Sequence, residues 1–259
     1  MLNELTVLSG FDKNGNREGY EKIIFRAGET ISIVGPTGSG KTAFITDIEL
    51  LAQGDTSSKR RVFIDGRPPE STIRDNPALK PIAMITQNTK CFADLTVEEF
   101  LKIHARARGI YTAKIIAETI ALANNFTGEK IQQNYRVTIL SGGQTRSLLI
   151  ADAILIGAAP IILLDEIENA GIFKQEVIEI IQDTGKIIVF VTHDPVIALH
   201  TQKRIIMENG AVKAILIQNE MEGFAARSLS DLDRKIGAIR EELRAGRVIT
   251  EELMNLKFA

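Results

Sequence analysis

The stretch Gly35-Pro36-Thr37-Gly38-Ser39-Gly40-Lys41-Thr42 constrains this chain more than any other. It follows the pattern G-x-x-x-x-G-K-[ST], a phosphate-binding loop that requires a strand before it and a helix after it. Both are readable. Thr30-Ile31-Ser32-Ile33-Val34 is a β-branched run between Gly28 and Gly35, the composition of a buried parallel strand. Ala43-Phe44-Ile45 and Ile48-Leu50-Leu51 then carry an apolar face at helical spacing as far as Gly54. Such a strand, turn and helix aims backbone N–H groups and the positive helix end at phosphate. Lys41 is then placed to neutralise the β- and γ-phosphates, and Thr42 to offer its hydroxyl to Mg2+.

With 259 residues the chain is long enough for one large or two smaller domains. A net charge of −2 gives no electrostatic footprint for nucleic acid, and no nucleic-acid partner is expected. The single cysteine, Cys91, suits a reducing compartment. Asn3 and Glu4 interrupt any apolar start, so no secretory leader is expected. The longest apolar run, from Ala153 to Leu164, contains Gly157 and Pro160 and is too short to span a bilayer. The expected location is cytoplasmic, and any membrane role would be peripheral, with another chain doing the spanning.

Residues 1–27 read as two short strands, Leu5–Leu8 and Ile23–Phe25, around the turn signal Asn14-Gly15. Phe11 and Tyr20 are the aromatic candidates there, for adenine stacking or for ordinary strand packing. Arg61–Gly66 is a further strand and turn, and Pro81–Thr86 another, which delivers Gln87 at the sheet edge where open α/β folds place ligand groups. From Asp94 the period becomes helical, with Thr96 and Glu99 as a capping box and a second helix starting at Thr112. The block over about residues 92–157 is expected to be an inserted helical subdomain. His104 reads as an ordinary residue of a helix face.

That block ends in Leu140-Ser141-Gly142-Gly143-Gln144, followed by a helix expected from about Thr145 to Ile156. Ser-Gly-Gly opening a helix offers a hydroxyl and free N–H groups, as a second phosphate site or as a plain helix cap. Ile161-Ile162-Leu163-Leu164-Asp165-Glu166 is a buried strand ending in two acids, which is costly unless they bind a cation or do chemistry. Asp165 suits Mg2+ and Glu166 a base for water. After a helix near Ile172–Ile181, the strand Ile187–Val191 delivers His193 to the same edge as Lys41, Gln87 and Glu166. Arg204 to Ile217 reads as a terminal hairpin. Gly223 marks a boundary, Ser230 with Asp233 is expected to cap a helix, and Thr250 to start a short last one.

Together these elements resemble the ATP-binding cassette (ABC) ATPases. The phosphate loop at 35–42, Gln87 as Q-loop glutamine, the LSGGQ signature at 140–144, the apolar strand ending in Asp165 and Glu166, and His193 as switch histidine stand in the family's order. The resemblance covers residues 1 to about 218. Nothing between Lys41 and Asp165 leaves room for long coiled coils, which disfavours the chromosome-maintenance and DNA-repair relatives. Having one cassette disfavours the tandem translation-factor branch. Two departures stand out. Asn169-Ala170-Gly171-Ile172 replaces the usual S-A-L-D, with isoleucine where the aspartate falls, and the adenine-stacking aromatic would be Phe11 in a turn-rich segment.

The resemblance implies an α/β P-loop fold with a mainly parallel sheet, an N-terminal antiparallel β subdomain, the helical insertion and a C-terminal helical tail. The expected division is a nucleotide-binding domain over 1–220 and an appendage over 221–259. It implies a Mg2+-dependent ATPase working as a head-to-tail homodimer or paired cassette, with two ATP molecules held between the phosphate loop of one chain and Ser141, Gly142, Gly143 and Gln144 of the other. Glu166 would polarise the attacking water and His193 hold the γ-phosphate. Gln87 would touch Mg2+, in a shell with Thr42 and Asp165, and report occupancy to a partner. The expected role is to power a transporter with separate integral membrane subunits. A helix of such a subunit would dock in a groove between Gln87 and residues 97–108, lined by Thr89, Phe92, Leu95 and Phe100. The alternative is a soluble ABC ATPase that remodels a protein assembly. A nucleotide sensor with little turnover fits less well with intact Glu166 and His193.

Overall fold

The structure, a computed structural model, describes residues 2–250 other than 77, 78, 87, 92, 171 and 183. Gln87 and Phe92, singled out above, lie outside the described residues, as does any helix beyond Thr250.

Strands β1 (Glu4–Leu8), β2 (Lys22–Arg26), β3 (Thr30–Val34) and β4 (Arg61–Ile64) build the first third, with α1 (Lys41–Glu49) between β3 and β4. A short α2 (Ser71–Asp75) leads to β5 (Ile82–Ile85). The helical block follows as α3 (Val97–Ala107), α4 (Ala113–Asn125) and α5 (Gly142–Leu155). The chain then alternates through β6 (Ile161–Asp165), α6 (Lys174–Gln182), β7 (Ile187–Val191) and α7 (Pro195–His200). It closes with the hairpin β8 (Lys203–Glu208) and β9 (Ala211–Ile217) and the long α8 (Glu220–Arg244).

Two sheets result. A small antiparallel one has the order β2-β1-β4, and the main one has the order β5-β6-β7-β3-β8-β9. The main sheet is parallel except for β9, which returns antiparallel beside β8. The sequence reason is visible strand by strand. In β6 and β7 every residue as far as Leu164 and Val191 is apolar and buried, so both faces of the sheet must be covered. Alternation sorts them: Ile161, Leu163, Ile187 and Val189 join one core with α1 and the antiparallel strands. Ile162, Leu164, Ile188 and Phe190 join the other, with Leu101 of α3, Phe126 and Leu148 of α5. Each such side chain removed from water contributes roughly 1.5–3 kcal/mol.

A buried charge cluster ties the small sheet to the main one. The Arg60 side chain, wholly buried, donates to Glu18 at 2.7 and 2.9 Å, to Asp47 of α1 at 2.9 Å and to the Gly210 carbonyl at 2.6 Å. Glu18 also accepts from the Gly10 and Val212 amides at 2.8 and 2.9 Å. Its partners hold Arg60 charged even though burial opposes the charge. The cluster clips the 10–18 segment, α1 and the β8–β9 turn into one body beside the phosphate loop.

Several expected boundaries shift. α5 begins at Gly142 and not near Thr145, because Ser141 caps it. Leu50 lies past the end of α1 and is exposed. Ile172 precedes α6, buried in the core and bridged to Thr127. The largest correction is at the end. α8 starts at Glu220 and runs through Gly223 without a break, and Ser230 is no cap. Ser230 is buried in mid-helix, its hydroxyl 2.7 Å from Nε2 of His200 in α7. Packing on α7 outweighs the local signals of a glycine and a serine.

Candidate nucleotide site

The loop between β3 and α1 holds the conformation that its glycines permit. Gly35 has φ 152°, and a Cβ there would meet the Met207 carbonyl at 2.4 Å. Gly40 caps α1 at φ 101°, and a Cβ there would lie 2.7 Å from Gly210 Cα. The β8–β9 turn thus presses on the loop, and the Gly210 amide donates to the Ser39 carbonyl at 2.8 Å. No side chain caps α1. Its first N–H groups are therefore available to a ligand, which is the condition for anion binding at a helix start. Lys41 Nζ folds onto the Gly35 and Pro36 carbonyls at 2.8 and 3.2 Å, while Pro36, Thr37, Gly38 and Thr42 are exposed.

Parallel pairing sets β6 and β7 side by side next to β3, so their C-terminal ends deliver Asp165, Glu166 and His193 to one edge with Lys41. Asp165 is half-buried, and burial together with the neighbouring Glu166 and Glu168 pushes its carboxyl up, opposed by Lys41. Glu166 sits in the left-handed region at φ 49°, its amide donating to the Val191 carbonyl at 2.9 Å. Strain of this kind at a β6 end is a mark of a functional turn. His193 Nδ1 lies 3.8 Å from Glu166 and 3.7 Å from Glu168.

Glu168 escaped the sequence reading. Its side chain is 5% exposed, takes the Thr192 hydroxyl at 2.6 Å and the His193 amide at 3.2 Å, and leaves Oε2 buried without a partner. It therefore sets the position of the histidine segment. The available signal was a third acid just after the Asp165-Glu166 pair. Lys174, at the start of α6, was also missed. Its ammonium bonds Asp194 at 2.6 Å and Asp233 of α8 at 3.1 Å, tying the residue after His193 to the last helix. Lys13 is a third, its ammonium 2.5 Å from the Gly38 carbonyl. Phe11, two residues earlier, is exposed and bridges to Arg17. Tyr20 packs on the core of the small sheet.

Ser141 to Gln144 stand elsewhere, at the start of α5 in the helical block. The Ser141 hydroxyl accepts from the Gln144 amide at 3.2 Å, and the Gln144 side chain accepts from the Ser141 amide at 2.9 Å, a complete capping box. Ser141 and Gly142 are exposed. Next to this start a cavity of about 330 Å3 is lined by Thr89, Lys90, Cys91, Leu140 and Arg146. Phe100 is half-buried and packs on the helical core, with its ring centroid 4.3 Å from that of His104. His104 in turn bonds Asp152 at 2.8 Å.

These features can be set beside known proteins. The family model described as ABC transporter matches residues 22–169. An uncharacterized ABC transporter ATP-binding protein of Methanocaldococcus jannaschii is 47% identical, over 98% of this chain and 98% of the relative. A thiamine import ATP-binding protein, ThiQ, of Brucella suis is 29% identical over 74% of this chain and 79% of its own. Among solved structures, a dimeric post-hydrolysis ATP-binding cassette bound to ADP and Pi superimposes with a TM-score of 0.63 at 24% identity, covering 83% of this chain and 99% of that one. No helix among the described residues is long and apolar enough to cross a membrane.

Proposed function

The chain belongs to the ABC transporter family of ATP-binding cassettes, and from that premise we propose that it is a Mg2+-dependent ATPase subunit. In this reading it closes head-to-tail on a second cassette and drives separate integral membrane subunits from the cytoplasmic face. The observation that carries the chemistry is the convergence of Lys41, Asp165, Glu166 and His193 at one sheet edge, three of them at or just past the C-terminal ends of the adjacent parallel strands β6 and β7.

The phosphate loop binds the β- and γ-phosphates through the uncapped amides of α1 and the Lys41 ammonium, which gives up its carbonyl partners to do so. A cation fits the edge. Burial and the neighbouring Glu166 and Glu168 push the Asp165 carboxyl up against the opposing Lys41, and a cation there would relieve that crowding. Thr42, Asp165 and Gln87 would hold Mg2+. When bound, the ion neutralises charge building on the phosphates. Glu166 accepts the proton of the attacking water, the oxygen bonds to the γ-phosphorus, and the bond to the ADP oxygen breaks. His193, positioned by Glu168, holds the γ-phosphate.

Ser141, Gly142, Gly143 and Gln144 complete the second chain's γ-phosphate site, and Phe11 stacks on the adenine. Residues 1–220 form the working cassette, with residues 221–259 as its appendage. The similarity to ThiQ, a thiamine import ATP-binding protein, supports transport as the setting, with the cargo left to that relative.

Glu166→Gln tests the reading. It keeps the shape of the side chain and removes the base, so phosphate release should fall about 10^2–10^4-fold with ATP binding retained. Turnover near wild type would refute the role of Glu166.

A further inference from the structure

Among the described residues, nothing covers one face of α8. α8 packs inward through Ala226 and Ser230, both nearly inaccessible, and through Asp233 on Lys174. Rotated about a quarter-turn from that face, Leu229, Leu232, Ile236, Ile239 and Leu243 recur at alternating steps of three and four. That spacing makes a straight apolar seam, the signature of one helix packing along another. Leu232 is 53% exposed, Ile236 39% and Leu243 62%, while Leu229 and Ile239 are half-buried.

The charges beside the seam say what fits it. One flank carries Asp233 and Arg240, the other Lys235 and Glu242. Two copies in parallel would set Lys235 against the partner's Arg240, like against like. Two copies running antiparallel, with Ile236 over the partner's Ile239 and Leu232 over the partner's Leu243, would set Lys235 against the partner's Glu242 and Asp233 against the partner's Arg240. Every flanking pair is then of opposite sign, and each occurs twice by symmetry. Sliding this antiparallel pair by one heptad would bring Lys235 onto the partner's Lys235. The carboxylates already hold partners within the chain, Asp233 through Lys174 and Glu242 through Arg247 at 2.6 and 2.8 Å, so the partner's cations join clusters already ordered.

We propose that the α8 seam seats α8 of a second copy of this chain, antiparallel, making a contact between cassettes that does not depend on nucleotide. The seam from Leu229 to Leu243 is roughly 20 Å long, so the contact is weak alone and acts by raising the effective concentration of the two nucleotide sites for each other. Lys174 ties the same helix to Asp194, the residue after His193, so the contact is fastened to the histidine segment.

Sedimentation velocity on the purified, nucleotide-free full chain tests this, and its readout is independent of the ATPase reading. The wild-type chain should show a reversible, concentration-dependent dimer. Ile236→Asp should abolish it with helix content by circular dichroism unchanged. Lys235→Glu should weaken it about tenfold, and adding Glu242→Lys in the same chain should restore it. Tightening by Lys235→Glu would indicate parallel pairing and overturn the proposal, as would no change. A wild-type chain monomeric at every concentration would also overturn it. Slow hydrogen exchange along the seam of such a monomer would point to residues 251–259 as the cover.

Discussion

At the start of α1 the cap is Gly40, in the left-handed region with no side-chain bond, whereas at the start of α5 Ser141 and Gln144 bond each other in a closed capping box. Both are glycine-rich helix starts with the same macrodipole. The first is pressed by the β8–β9 turn and left with unpaired amides. The second is exposed and has satisfied itself. A helix start that must hold phosphate whenever nucleotide is present benefits from unpaired amides fixed in place. One that meets phosphate only when a second chain arrives is better capped in the interval, because uncapped amides would cost stability throughout. Under the proposed head-to-tail reading, the difference would account for two such motifs in one chain.

Gly40→Ala breaks the first start most severely. The added methyl meets Gly210 Cα at 2.7 Å on a backbone with φ 101°, so about 2–4 kcal/mol of stability should be lost along with ATP binding. Denaturant midpoints and nucleotide titration would check both. Gln144→Ala opens the second start by half. It should cost about 0.5–1 kcal/mol of stability and leave ATP affinity of the isolated chain unchanged. Loss of affinity there would mean that α5 serves the site of its own chain.

The smallest effect concerns the acidic edge near the first start. Asp165 has its carboxyl pushed up by burial and by Glu166 and Glu168. The folded chain therefore binds this proton more tightly than the unfolded one, and ligand-free stability falls as pH rises through the folded pKa. Asp165→Asn should raise Tm of the nucleotide-free protein at neutral pH and flatten that slope, while ending hydrolysis. A lower Tm would show that Asp165 is not under electrostatic stress.

The sequence makes the sheet edge legible because both its signals are local and strong. Unbroken apolar runs force β6 and β7 inside, and the residues just past them, Asp165, Glu166 and His193, must then emerge at one edge. Ser141 is legible as a cap for the same reason, its partner being three residues away. Arg60 is not. Its carboxylates lie at Glu18 and Asp47, and nothing in the spacing shows that three separate segments meet there. Lys174 is hidden likewise, since Asp194 and Asp233 reach it only through the packing of α6, α7 and α8. α8 shows the opposite failure: Gly223 and Ser230 are real local signals, and the surface of α7 overrides them.

The central claim is that the two helix starts complete one site only across two chains, and mixing two inactive variants tests it most directly. Lys41→Ala disables the first start and Ser141→Arg the second, so neither variant alone should hydrolyse ATP. In a mixed dimer one composite site keeps both Lys41 and Ser141. An equimolar mixture should therefore recover about a quarter of wild-type turnover, half of the dimers being mixed with one intact site each. Phosphate release no greater than that of the two variants apart, in dimers verified to be mixed, would contradict the account.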